Sequence, residues 1–248
     1  MKSSGCQGTS FTGVGWADWA CRVASLLFDA GQINSPALLQ IGEAGSNKNH
    51  AANPTSVQDV YFRIGGAGAG RATQSLIVNS SNTLIDHIWA WRADHGAGAG
   101  WTSNTADTGV LVNGNNVTAY GLFVEHYQKH NLIWNGNGGR AYFFQNEMPY
   151  DPPSQSAWRN DALGYAAYKV GANVTIHQAW GIGAYCYFNV NPAIHASSGV
   201  EVPNTPGVKI TSALTVSLAG TGTIDHVVNS AGAQTDLNTT ASTLVSYP

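Results

Sequence analysis

Charge is scarce in this chain: only 10% of its 248 residues are Asp, Glu, Lys or Arg, against about a quarter in an ordinary globular domain. The formal net charge is −3 and no run of basic residues occurs, so the electrostatic footprint of a nucleic-acid binder is missing. No apolar stretch approaches the ~18 residues that cross a bilayer, which argues against a membrane partner. The opening MKSSGCQGTSFTGVGWADWAC lacks the apolar region of a secretory signal, so the expectation is a cytoplasmic chain as given, or one whose export signal has been lost. Cysteine is sparse: Cys6, Cys21 and Cys186 are odd in number and without CxxC spacing. They indicate neither a zinc site nor a disulfide framework, and predict free thiols or at most one bridge. No GxSxG supports a serine nucleophile, and Gly66, Gly68 and Gly70 lack the spacing of a dinucleotide loop.

What is present is neutral. Hydrophobic residues make up 43% of the chain and aromatics 10%, with 29 glycines. That is enough to bury one large core, and it favours a β-rich, turn-rich protein with neutral polar ligands.

A repeat runs along the chain. NTLIDHIWAW from Asn82, NVTAYGLFVEH from Asn116, NVTIHQAWGIG from Asn173 and GVKITSALTVS from Gly207 share a polar or Gly position, a β-branched residue and an apolar one two places later. With weaker matches at Val23, Val57 and Arg140, anchors fall at 23, 57, 83, 117, 140, 174 and 208. Most steps fit one solenoid coil of roughly 22 to 26 residues, or such a coil lengthened by a loop. Alternation turns Ile85, Ile88, Ala90, Ala119, Leu122, Val124, Ile210, Ala213 and Thr215 inward, and Trp89, Trp91, Phe123 and Glu125 outward. LIVNSSN and VLVNGNN place asparagines at equivalent turns, where they can stack as a ladder. WACRVASLLFDAG reads as a first coil in preference to a helix. The expected fold is all-β, a right-handed parallel β-helix with long loop insertions on one side. Residues 1–22 form an atypical N-terminal segment and 23–248 a single domain. A β-sandwich, the main rival, calls for shorter turn spacings.

Six of the fourteen acidic residues, Asp86, Asp94, Asp107, Glu125, Glu147 and Asp151, lie between positions 86 and 151. Stacked coils bring equivalent positions to about 4.8 Å, so carboxylates there can reach the ~5 to 9.5 Å separations used in glycoside hydrolysis. Asp94 and Glu125 are the first choices for the catalytic acid and base. Asp107, Glu147 and Asp151 compete, and Asp86 ranks lower as a residue facing a turn. Trp89, Trp91, Trp101, Trp134 and Tyr150 are expected to stack on sugar faces, while Arg92, His95 and His126 tune the acids. His126 and His130 are four apart, a helical spacing that does not suit a strand leaving into a loop, and no metal site is expected. No cofactor is required, though loop carboxylates could bind a structural or activating calcium ion.

IDHIWAWRADHGAGAGW, NGNNVTAYGLFVEHYQKHNLIWNGNGG, QNEMPYDPP, GYAAYKV and YCYFNVNP together resemble the β-helix region of secreted bacterial proteins allied to glycoside hydrolase family 87, the α-1,3-glucanase and mycodextranase group. The resemblance covers roughly residues 23 to 230. It implies endo-acting, inverting hydrolysis of α-glucans, with Asp94 and Asp107 nearest by context to the cleft aspartates. Those relatives are longer and secreted, so this chain looks like a fragment that could self-associate through exposed solenoid ends. The expected function is hydrolysis of a polysaccharide or a smaller sugar substrate. An ester or lactone hydrolase on the same scaffold and a non-catalytic carbohydrate-binding solenoid are the alternatives.

Overall fold

The computed structural model describes residues 6–8, 21–46, 49–159 and 163–248, with the backbone alone at 6–8. Expectations for most of the first twenty residues lie outside the described residues.

Strand content dominates. One sheet holds long strands in parallel: β2 (Arg22–Asp29), β4 (Thr55–Ile64), β6 (Thr83–Arg92), β8 (Thr118–Glu125), β10 (Gly139–Glu147), β12 (His177–Cys186) and β15 (Val208–Ser217). The other holds β3 (Ser35–Ile41), β5 (Ala72–Val78), β7 (Thr108–Val112), β9 (Leu132–Trp134), β11 (Tyr168–Val170) and β14 (Val200–Glu201), also parallel. The chain alternates between the two sheets and advances one place in each per circuit. Two strands break the pattern at the ends: β1 (Cys6–Gly8) pairs antiparallel with β3, and β17 (Ala241–Tyr247) pairs antiparallel with β15. A small parallel pair, β13 (His195–Ala196) and β16 (Thr223–Ile224), completes the set. The last parallel strand of the long sheet therefore ends at Ser217, and β17 covers that end of the stack rather than extending it.

Val23, Val57, Ile85, Ala119, Ala141, Ala179 and Ile210 lie in register across the long sheet and are all buried. The inward set read from alternation is buried throughout. Its step from Ile85 to Ile88 spans three residues because His87 has φ +52. Ser25, Asp59, Gly121, Phe143, Gly181 and Ser212 occupy the same place in their strands, all with positive φ. Each long strand is thus bent once, at a fixed point, and side-chain phase is reset there. A left-handed non-glycine residue costs of order 1 kcal/mol; the bend residue itself is skipped in each strand register, and the paired residues on either side of it fix its place.

The anchors at 83, 117, 140 and 208 fall one or two residues ahead of this register. The anchor at 174 falls five ahead, because Val174 belongs to the turn 171–176, where its N–H bonds the Gly171 carbonyl.

The asparagine ladder is present. Asn113 Nδ2 donates to Asn79 Oδ1 at 2.8 Å, and Asn135 Nδ2 to Asn113 Oδ1 at 3.0 Å. Asn82, Asn116 and Gly138 follow it with φ of 56, 55 and 69°. A Cβ at Gly138 would collide with Asn116 Oδ1, so that turn needs glycine.

Segments leaving the C-terminal ends of the long strands are 30–34, 65–71, 93–107, 126–131, 148–167 and 187–199, and the opposite corner carries 42–54, 79–82, 113–117, 135–138, 171–176 and 202–207. The two longest, 93–107 and 148–167, share the first corner, the insertion corner. Cys21 is disulfide-bonded, and Cys186 is free and buried.

Candidate functional site

Past the bend, two outward rows run along the stack. In one, Asp29, Arg63, Trp91, Glu125, Glu147 and Tyr185 follow each other in register; in the other, Leu27, Tyr61, Trp89, Phe123, Gln145 and Gly183 do. Both run beside the insertion corner, whose loops bring Asp94, His126 and Tyr150 to the same place.

Three carboxylates meet there. Trp89 Nε1 donates to Glu125 Oε2 at 2.8 Å, and Trp91 Nε1 to Asp94 Oδ1 at 3.2 Å. His95 Nδ1 lies 2.9 Å from the same Asp94 oxygen. The Tyr150 hydroxyl donates to Glu147 Oε2. His126 stands between them, its Nε2 3.6 Å from Asp94 Oδ1 and 3.7 Å from Glu147 Oε2, while Nδ1 donates to the Met148 carbonyl at 3.3 Å. It directly follows Glu125, has φ +66 and is buried.

The two first-choice acids differ in proton affinity. Burial raises Glu125 above the usual glutamate range; the charges of Glu147 and Asp94 add to this, and hydrogen bonds from Trp89 and Gln145 oppose it. Burial alone would raise Asp94 too, but charge on His126, its own backbone N–H and His95 outweigh burial and lower it. His126 is lowered by burial against the pull of both neighbouring carboxylates. Burial first, then Glu147, raises the Tyr150 phenol.

Several expected site residues serve elsewhere. Arg92 is fully buried and uses all five N–H donors inside the protein. Nε bonds the Asn104 carbonyl, Nη1 the His126 carbonyl and Asp151, and Nη2 the Gly100 carbonyl and Asp151. It cannot reach a ligand, and Asp151 is its counter-ion. Trp101 lies 5.7 Å from this guanidinium, half-buried. Trp134 is fully buried in the core, too deep to stack on a sugar. Asp107 forms a surface pair with Lys129 at 2.7 Å, and Asp86, ahead of the bend, bonds the bend residue His87. His130 is buried against the Ala166 carbonyl. Trp89, Trp91 and His95 remain accessible beside the carboxylates. Gln145 and Tyr185, not singled out in the sequence, join the wall because register places them beside Phe123 and Glu147. Among the described residues no group of three or more His, Cys, Asp or Glu is placed to hold a metal ion.

Residues 10–147 match the family described as the LAM55 pectate lyase-like domain. The chain belongs to that family. An exo-β-1,3-glucanase of Streptomyces sp. (strain SirexAA-E / ActE) is 55% identical over 229 residues, which are 92% of this chain and 38% of the relative. The solved structure of sacteLam55A from Streptomyces sp. SirexAA-E superposes with a TM-score of 0.90 at 54% identity, over 92% of this chain and 42% of that one. A variant of the same protein in complex with glucose superposes with a TM-score of 0.91 at 52% identity, over 93% and 42%. The chain thus spans about two fifths of the length of these relatives. LAM55 membership replaces the expected alliance with glycoside hydrolase family 87, and the relative's name carries a β-1,3 linkage and exo action where α-linkage and endo action were expected.

Proposed function

We propose that the chain is the glucan-handling part of a β-1,3-glucan hydrolase, built as a right-handed parallel β-helix whose insertion corner forms a groove. One observation carries this reading: Glu125 and Asp94 share a wall and have opposed proton affinities, the arrangement that divides acid from base between two carboxyls. Glu125, which holds its proton more tightly than a free glutamate, donates it to the glycosidic oxygen. Asp94, ionised and oriented by Trp91 and His95, receives the proton of the attacking water. Glu147, anchored by Tyr150, raises the affinity of Glu125 for its proton. Trp89, Trp91 and His95 line the groove. Membership of the LAM55 family and the name of the 55%-identical relative support the substrate class.

The test is Glu125→Gln, made in this chain and at the matching position of the longer relative, with turnover and affinity measured on a β-1,3-glucan. Turnover should fall at least ~100-fold with affinity retained; wild-type turnover would remove Glu125 from the chemistry. A second reading rests on the chain's share of its relative, 38%: the reacting carboxyl comes from the remaining length, and this wall only binds. In that case Glu125→Gln weakens affinity and leaves kcat unchanged.

A further inference from the structure

Two stripes of aromatic rings run along the outward face of the long sheet, and they differ in what their faces touch. On the near side of the bend, Tyr120, Tyr142 and Trp180 stack on one another, with centroids 5.0 and 4.7 Å apart and planes within 11° and 3°. Their inner faces are occupied by each other, so this stripe reads as cross-strand packing. Past the bend, Tyr61, Trp89 and Phe123 sit in register on three successive circuits without stacking on one another. Tyr61 is 42% exposed and makes no ring contact among the described residues, and Trp89 is 40% exposed with one face stacked on Trp91 at 5.6 Å and 23°. Phe123 is half-buried and touches Phe143. The row leads to Gln145, beside the Glu125 carboxyl.

We propose that a β-1,3-glucan lies along the stack axis over Tyr61, Trp89 and Phe123, with the sugar to be processed at Glu125 and the following units on the aromatic row. The inference rests on the glucan reading above and adds a direction and a length to it. Each circuit advances about 4.8 Å, a step close to the length of one pyranose ring, so successive rings can serve successive sugars. Solvent-exposed aromatic rings bind the apolar faces of pyranoses, and Tyr61 and Trp89 are the exposed rings of the row. Hydroxyl partners flank the row: the half-exposed Arg63 and Asp29, paired at 2.6 Å, stand beside Tyr61 and Leu27. Trp89 has two roles, presenting its ring to the polymer while its N–H holds Glu125. The track is continuous with the carboxylate cluster and shares its strands, β6 and β8. Nothing in the row carries a charge, which suits a neutral polymer over a polyuronide.

Affinity for β-1,3-linked glucose oligomers of two and six units, measured by calorimetry, tests the track. Wild type should bind the hexamer more tightly than the dimer. Tyr61→Ala should weaken hexamer binding roughly five- to tenfold and leave the dimer within twofold. Tyr61→Phe, which keeps the ring, should restore most of the difference, and Tyr120→Ala on the self-stacked stripe should change neither length. If hexamer and dimer bind wild type equally, or Tyr61→Ala weakens both alike, the track is wrong and the glucan groove stands. If neither oligomer binds wild type, both readings fall.

Discussion

Arg92→Met should loosen three insertion loops at once. The wild-type guanidinium, fully buried, ties the carbonyls of Gly100, Asn104 and His126 to the carboxylate of Asp151, at distances of 2.8 to 3.2 Å. Methionine fills most of the volume but returns none of the five donors. Three carbonyls then lose a donor, and Asp151, whose side chain is 21% exposed, keeps a charge without a counter-ion. Breaking a buried pair from one side costs about 3–5 kcal/mol, and partial exposure of Asp151 places the expectation near the lower end, about 3 kcal/mol. For a chain of this size that lowers Tm by roughly 10 °C. Denaturant titration reads the loss, and hydrogen exchange locates it: amides of 93–107, 126–131 and 148–152 should exchange faster while those of β4, β6 and β8 stay protected. The double change with Asp151→Leu should recover part of the loss, because the stranded charge is then gone. A cost under about 1 kcal/mol for Arg92→Met, or uniform exchange across the chain, would refute this account of the loop clamp.

Two other outcomes can be checked directly. The Trp89 N–H favours the charged form of Glu125, so Trp89→Phe should raise the affinity of that carboxyl for its proton further. A general acid works only while protonated, and activity is lost as pH rises through its pKa; the alkaline limb of the pH–kcat profile should therefore move to higher pH in the variant, and a shift the other way would contradict the assignment. Asn113→Ala removes the middle rung of the asparagine ladder, leaving Asn79 Oδ1 and Asn135 Nδ2 without that partner. Because these turns are partly solvated, a loss of about 1–2 kcal/mol is expected by denaturant titration; no measurable loss would mean that water replaces the rung.

Much of the interior was legible because alternation is a purely local signal. Ile85, Ile88 and Ala90 are buried as read, and so are their counterparts in β8 and β15. The same alternation, carried one step past Ala90, points Arg92 inward; its charge suggests a ligand contact, but five internal hydrogen bonds offset the cost of burying it. Trp134 repeats the lesson, since register places it beside the buried Val112. The bend was hidden because its occupants, among them Ser25, Asp59, His87 and Phe143, share no chemistry, only backbone conformation. Asp107 was drawn into the site by closeness in sequence, whereas Gln145 was missed because its place depends on register with Phe123 across the stack. Residue types identified an acidic, aromatic wall. Which residues compose it depends on strand pairing, a non-local property that composition does not carry.

The recurrent left-handed residue in each long strand acts as a phase lock. Since the chain is re-aimed at that one point on every lap, whatever length of loop precedes it leaves no trace in the strands that come after. Changes of length in 65–71, or in 148–167 beyond Tyr150 and Asp151, should therefore redraw the rim of the groove while its floor keeps its orientation.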